Sequence, residues 1–147
     1  MKCPFCRRTN TEIYNSRTTR FGSQTWRRRR CTDCGQTFTT YEAVDLSGLL
    51  RVDGPAGQRR YSRARLYASL LAVLGPRAND PATAEAIADT VEAKLLDLQH
   101  RTVSRQQIVD NVLSTLKHLD SSAFLRYLAA HSDFPTTAKL SRELKKY

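Results

Sequence analysis

Two C-x-x-C pairs constrain the fold of this chain more than any other feature of its sequence. The pairs contain all four cysteines, with Cys3 and Cys6 in the first and Cys31 and Cys34 in the second. This spacing is typical of a tetrahedral zinc site, in which each pair forms a short knuckle that directs two thiolates at one ion. We therefore predict that these four cysteines bind Zn²⁺. The site is predicted to be structural, because four cysteine ligands leave no open position for a catalytic water.

A redox motif and a pair of disulfides are the alternative uses of these cysteines. The chain opens Met1-Lys2-Cys3 with no apolar signal segment, so we expect it in the cytoplasm, where reducing conditions disfavour structural disulfides. A thioredoxin-like motif requires a βαβ context that two matched pairs do not offer. No apolar run approaches the roughly 18 to 20 residues that span a membrane, so no membrane partner is expected.

The segment between the pairs is predicted to be a small β zinc ribbon over residues 1–42. β-branched and aromatic residues predict strands at 12–17, 24–30 and 36–41, with turn chemistry at Phe21-Gly22-Ser23. A loop of this size buries too little apolar surface to order itself. The metal must therefore supply most of its folding free energy, on the order of 10–16 kcal/mol in zinc peptides.

Positive charge is concentrated in the same segment. The 147-residue chain has a net charge of +10, and residues 1–42 hold nine basic against three acidic residues, a net +6. Such a patch is typical of a surface that binds nucleic acid phosphates. Four of its arginines adjoin the second cysteine pair: Arg27, Arg28, Arg29 and Arg30.

Strand alternation divides this arginine run between the two faces of the sheet. Arg27 and Arg29 are predicted on one face, and Arg28 and Arg30 on the other. A run of like charges is also typical of a solvated face or a sorting tract. Ordering four arginines inside a metal-bound hairpin costs free energy unless an anion offsets their repulsion. This cost favours a nucleic acid-binding surface over a merely solvated one.

The aromatic residues of the ribbon have two open interpretations. Trp26 is suited to stacking on a base or sugar, whereas Phe5, Trp26 and Phe38 are equally suited to covering the zinc site as a minimal core. The sequence alone does not separate them.

After a hinge over 43–48, the remaining residues predict a β-hairpin followed by about four helices and a short terminal helix. The hairpin comprises 49–52 and 58–61 around a turn rich in glycine and proline. Helix starts are predicted at Ser62, Asp80, Ser104 and Asp120, and Gly75-Pro76 is predicted to end the first helix. Leucines at helical spacing predict the core. The fold class is therefore α+β.

No catalytic constellation is evident in this second part. Phosphate-loop motifs are absent from the sequence, as are the paired carboxylates that an active site would need. The three histidines, His100, His118 and His131, lie near predicted helix ends, where solvated or dipole-pairing roles are ordinary. The chain is therefore not expected to be an enzyme.

Taken together, these residues resemble the NrdR family, bacterial repressors of ribonucleotide reductase genes that join a zinc ribbon to an ATP-cone domain. The ribbon motifs are M-K-C-P-F-C at 1–6, N-S-R at 15–17, W-R-R-R-R-C-T-D-C at 26–34 and F-T-T-Y-E at 38–42. The resemblance resumes with L-D at 119–120, A-F-L-R-Y at 123–127 and the phenylalanine at 134.

The resemblance implies a function for each part of the chain. Residues 1–42 would bind double-stranded promoter DNA through Arg17 and the run of arginines at 27–30, and 49–136 would form an ATP-cone that senses ATP and dATP and forms homo-oligomers. Residues 137–147 would form a basic tail helix, and the protein would be cytoplasmic and associated with the nucleoid. The implied nucleotide contacts are Leu50, Arg51, Val52, Tyr61 and Arg65, with arginine at 51 and 65 where the family tends to have lysine.

A second function stays open at this point. The ribbon could bind nucleic acid constitutively while a degenerate cone only oligomerises and binds no nucleotide. The two functions differ in whether a nucleotide changes the mass of the protein in solution.

Overall fold

A computed structural model describes residues 1–19, 24–74, 81–132 and 136–146. The chain divides into two compact units, Met1–Asp45 and Leu46–Tyr147. Some expectations lie outside the described residues: the turn at 21–23, the helix stop at Gly75-Pro76, the helix start at Asp80 and the family phenylalanine at 134.

The first unit is a three-stranded antiparallel sheet in the order β1-β2-β3. Its strands are β1 (Thr11–Thr19), β2 (Gln24–Cys31) and β3 (Thr37–Ala43), which confirms the three predicted strands. The β1–β2 register shifts at a bulge between Ile13 and Asn15. The arginine run lies in the central strand, β2, so its side chains are flanked by residues of both neighbouring strands.

Very little apolar surface is buried in this sheet. Among its described residues only Cys3 and Cys31 are buried, and Trp26 and Phe38 are half-buried. Phe5 is 61% exposed, so it does not cover the cysteines. The ribbon is therefore organised around its thiols rather than around a hydrophobic core.

The second unit combines a three-stranded sheet with helices. Its elements are α1 (Leu46–Leu49), β4 (Arg51–Gly54), β5 (Gly57–Arg60), α2 (Arg63–Val73), α3 (Pro81–Asp97), β6 (Thr102–Ser104), α4 (Arg105–Leu116), α5 (Ser121–His131) and α6 (Thr137–Leu144). β4 is the central strand, antiparallel to β5 and parallel to β6. Leucine, isoleucine and valine side chains of α2 to α5 form one continuous core. The predicted α+β class is confirmed.

Two elements of the second unit differ from the sequence-based prediction. Leu49 ends the short helix α1 rather than beginning a strand, because Leu46 and Leu50 on either side of this turn are both buried in the core. β6 was not predicted, and its only buried residue is Val103, which lies beside Val52 of β4.

The predicted helix caps at Ser62, Ser104 and Asp120 are confirmed. The Ser62 hydroxyl accepts the Arg65 N–H at 3.4 Å. Ser104 forms a complete capping box with Gln107, and one Asp120 carboxylate oxygen accepts two backbone N–H groups of α5. Within the described ranges, no helix is both long and apolar enough to cross a membrane.

Candidate functional site

The four thiols of the first unit converge on one point. Their Sγ atoms all lie within 4.8 Å of one another, with 3.7 Å between Cys3 and Cys34 and 3.6 Å between Cys6 and Cys31. Ligands about 2.3 Å from a tetrahedral zinc ion lie about 3.8 Å apart. The four thiolates therefore fit Zn²⁺ in both donor type and separation.

Two matching knuckles hold these thiols. The Arg7 N–H donates to the Cys3 carbonyl, and the Gly35 N–H donates to the Cys31 carbonyl, each at 2.9 Å. Arg7 and Gly35 each follow the second cysteine of a pair and have φ values of +62° and +72°. Glycine adopts this conformation freely, whereas arginine does so at a cost of about 1–2 kcal/mol. The spacing predicted the knuckles, but nothing in the sequence indicated the conformation of Arg7.

Burial, backbone hydrogen bonds and thiol–thiol contacts give Cys3 and Cys34 different pKa values. Burial raises the pKa of Cys3, but the backbone N–H groups of Cys6 and Phe5 lower it, and the result is a pKa of about 7. The Gln36 backbone lowers the pKa of Cys34, but burial and the neighbouring thiols raise it to about 12. Zinc binds thiolates, so its binding must displace protons from this cluster.

One face of the ribbon sheet carries three arginines together with the rings of Trp26 and Tyr41. Arg17, Trp26 and Tyr41 lie side by side in the register of the three strands, and alternation along β2 places Arg28 and Arg30 on the same face. We call these five residues the Trp26 face. The Arg17 guanidinium carbon lies 6.0 Å from the centre of the Trp26 ring, within the range of a cation–π interaction.

Arg28 is held in place without an acidic partner. Its two terminal nitrogens donate to the hydroxyls of Thr39 and Thr37 at 3.0 and 2.9 Å, and its Nε donates to the Tyr14 hydroxyl at 3.4 Å. Across the described part of the chain, no ion pair involves an arginine of the Trp26 face. None of these arginines is therefore within ion-pair distance of a described carboxylate, and the acidic residue nearest in register is Glu12, which lies opposite Arg30.

The opposite face is different because Glu42 neutralises part of its charge. Glu42 pairs with Arg27 at 2.8 Å and with Arg29 at 3.5 Å. Arg29 also donates to the Thr40 hydroxyl, and its side chain is only 13% exposed. The structure thus separates the predicted DNA-contacting arginines into two sets, Arg17, Arg28 and Arg30 against Arg27 and Arg29.

The second unit contains a cavity of about 320 Å³, a volume typical of small-molecule sites. Three of the five predicted nucleotide contacts, Val52, Tyr61 and Arg65, line it. The other two do not: Leu50 is buried and Arg51 is exposed. The cavity is completed by Arg59, Arg60, Ser62, Leu66, Ser69, Arg105, Ile108, Val109, Tyr127 and His131.

The charge of this cavity is strongly positive. Four arginines line it, and none of its described lining residues is acidic. Arg65 was identified from the sequence, whereas Arg59, Arg60 and Arg105 were not. The adjacency of Arg59 and Arg60 to Tyr61 could have indicated two of them. Arg105 is brought in only by the folding of α4.

Tyr61 is fixed in the cavity wall by a polar network. Its hydroxyl donates to Glu92 at 2.9 Å, and Arg63 joins Glu92 to Asp89. Burial and the Glu92 carboxylate raise the pKa of Tyr61, so its hydroxyl remains a donor.

His131 lies at the cavity rather than in solvent. Its Nδ1 is 3.4 Å from an Arg105 nitrogen, and its ring centre is 4.2 Å from that of Tyr127. Burial and then the Arg105 charge lower the pKa of His131. A neighbouring cavity of about 450 Å³ shares three of these lining residues, Arg105, Val109 and His131, and adds Asp53, Gly54, Pro55, Ser104 and Gln106.

Comparison with known proteins places these features in a family. Residues 1–42 match the zinc-ribbon family described as "Transcriptional repressor NrdR-like, N-terminal domain". Proteins named "Transcriptional repressor NrdR" are similar along nearly the whole chain. That of Agathobacter rectalis is 32% identical over 146 residues, which cover 99% of this chain and 97% of the relative.

Two further relatives with the same name come from other bacteria. The Cupriavidus pinatubonensis protein is 35% identical over 96% of this chain and 92% of its own length. The Aromatoleum aromaticum protein is 34% identical over 99% of this chain and 86% of its own length. Their names describe a regulatory role and not a catalytic one. The chain belongs to the NrdR family of transcriptional repressors.

Proposed function

We propose that this chain is a zinc-dependent repressor that binds promoter DNA through its ribbon and senses ATP and dATP in its second unit. Its targets would be ribonucleotide reductase genes, in the bacterial cytoplasm. Nucleotide sensing is supported by the cavity, which is lined by four arginines and two tyrosines and has no acidic lining residue among those described. A triphosphate needs cationic side chains, and an adenine ring needs an aromatic or apolar wall.

Zinc in this proposal orders the DNA-binding surface. Cys3, Cys6, Cys31 and Cys34 would be its ligands, since their sulfurs already have tetrahedral separations. The metal would fix the strands that carry the arginines and take no part in a reaction.

The Trp26 face is the stronger candidate for the DNA contact. Its arginines form no ion pair among the described residues, and only Arg30 has an acidic residue, Glu12, opposite it in the register, so their attraction to phosphate is offset less than that of Arg27 and Arg29. An arginine fork also suits the edge of guanine, and phosphate contacts would add affinity without sequence preference. Arg27 and Arg29 would contribute less, because Glu42 neutralises part of their charge.

Different cavity residues would bind different parts of the nucleotide. Arg65 and the newly identified arginines would bind phosphates, and Val52 with Tyr61 would contact the base or sugar. Leu50 would act indirectly, because its carbonyl accepts the Tyr61 N–H at 3.0 Å and helps to position that ring. Arg51 has no contact with this cavity, so the cavity does not support its assignment as a ligand residue.

Repression further requires that the nucleotide favour one homo-oligomer over another, since a ligand with equal affinity for both assemblies shifts nothing. The alternative function, a ribbon that binds nucleic acid while the cone only oligomerises, would leave the positive cavity without a ligand. Clustering like charges without an anion is unfavourable, which favours the sensing function.

The test is to titrate ATP and dATP separately into zinc-loaded protein by calorimetry, with the mass of each state measured by light scattering. We expect binding of dATP with a change of mass, and a change of promoter affinity between the two states. Arg65→Ala should weaken dATP binding, whereas Arg51→Ala, a matched exposed arginine outside the cavity, should not. If neither nucleotide binds near millimolar concentration, the sensing function is wrong and the alternative stands.

A further inference from the structure

His131 lies at the junction of the two cavities in the second unit. It lines the 320 Å³ cavity together with Arg65 and Arg105, and it lines the 450 Å³ cavity together with Arg105 and Asp53. The Arg105 guanidinium is 3.4 Å from His131 Nδ1, so the two groups can hold the same anion from adjacent positions.

The charged and titratable groups facing this histidine come from every element around it. They are Arg65 of α2, Arg59 and Arg60 of β5, Arg105 of α4, Asp53 of β4 and Tyr127 of its own helix. Four of these six groups are cations. In the free protein burial lowers the pKa of His131 and favours the neutral imidazole, and the Arg105 charge acts in the same direction.

We propose that His131 and Arg105 form a paired contact for a phosphoryl group, and that His131 takes up a proton when this group binds. The proposal rests on the nucleotide-binding function of the cavity and adds a residue to it. Once a phosphate lies against both side chains, its negative charge outweighs the repulsion from Arg105 and stabilises the imidazolium. Both His131 nitrogens are then donors, and one of them can bind a phosphate oxygen.

Because of this contact, the affinity for the phosphoryl group depends on pH. The bound state holds the proton more tightly than the free state, so binding is favoured at low pH and weakens as the pH rises between the two pKa values. The largest possible effect is about a tenfold change in Kd for each pH unit between the pKa of His131 in the free state and its pKa in the bound state. Deprotonation of the terminal phosphate acts in the opposite direction, because it adds negative charge opposite the arginines.

The experiment is calorimetric titration of dATP into the zinc-loaded, full-length protein and two variants, at a fixed Mg²⁺ concentration and at several pH values from about 6 to 8, around the usual histidine pKa. His131→Gln keeps hydrogen-bonding capacity without titrating. His118→Gln is the matched control, because His118 is exposed and does not line the cavity. Each titration is repeated in buffers of different ionisation enthalpy, which measures the protons taken up or released.

We expect dATP affinity of the wild type and of His118→Gln to fall with pH relative to His131→Gln, and proton uptake to be positive only in the first two. Identical pH profiles in all three proteins would overturn this contact while leaving nucleotide binding intact. Failure of the wild type to bind dATP at any pH would overturn the sensing function and this inference with it. If His131→Gln does not fold, proton exchange in the wild type tests the proposal alone. Net proton uptake on dATP binding supports it, and net release overturns it, because phosphate ionisation alone releases protons.

Discussion

The arginines of the ribbon share one charge but have different surroundings. Arg30 is exposed and forms no ion pair among the described residues, with Glu12 opposite it in the register but not within ion-pair distance, whereas Arg27 lies 2.8 Å from Glu42. An arginine that already has a carboxylate partner displaces fewer counterions when it meets a phosphate. Counting arginines in the sequence therefore overstates how many contribute to the salt dependence of DNA binding.

We expect Arg30→Ala to weaken promoter binding and to lower the slope of log affinity against log salt by about one. Arg27→Ala should change the slope less, because Glu42 offsets the Arg27 charge before DNA binds. Fluorescence anisotropy over a range of salt concentrations measures both slopes. Equal losses in the two variants would contradict the distinction between the two faces.

Tyr61→Phe removes one hydroxyl from the cavity wall. We expect the free energy of unfolding of the second unit to fall by about 1 kcal/mol, because the Glu92 carboxylate loses a donor. Tyr67→Phe is the control, since Tyr67 is half-buried and its hydroxyl has no hydrogen bond among the described residues. Urea denaturation followed by circular dichroism gives both values, and equal destabilisation would mean that the Glu92 contact contributes nothing.

Among elements, those with local sequence patterns were predictable and those that depend on a distant partner were not. Ser104 and Asp120 cap their helices through residues two or three positions away, so a short window contains the whole interaction. β6 has one buried side chain and exists because it pairs with β4, about fifty residues earlier. The cavity has the same origin: Arg59 and Arg105 come from β5 and α4, and only the fold brings them together.

The Asp120 cap stabilises the N-terminus of α5. Asp120→Ala should lower the free energy of unfolding by about 1 kcal/mol, because the N–H groups of Ser122 and Ala123 lose their acceptor. Ser121→Ala, one position along, removes no side-chain hydrogen bond seen in the described residues and should leave stability within about 0.5 kcal/mol of wild type. Thermal denaturation of the two variants makes the comparison, and a Ser121 effect as large as that of Asp120 would be inconsistent with the cap.

On the scale of the whole molecule, the two units are stabilised by different forces. The second has a continuous core of buried leucine, isoleucine and valine side chains. In the described part of the first, the only buried side chains are two of the four cysteines. A chelator should therefore unfold the ribbon and leave the second unit folded, because burial of apolar surface stabilises only the latter without the metal.

Two spectroscopic signals separate these outcomes. The single tryptophan, Trp26, lies in the ribbon, whereas all described helices lie in the second unit. Chelation, or Cys31→Ser, should change the tryptophan fluorescence and abolish promoter binding, with little loss of helical circular dichroism and unchanged dATP binding. Promoter binding that survives without zinc would refute the metal's structural role. Loss of the helical signal on chelation would instead show that the stability of the second unit depends on the ribbon.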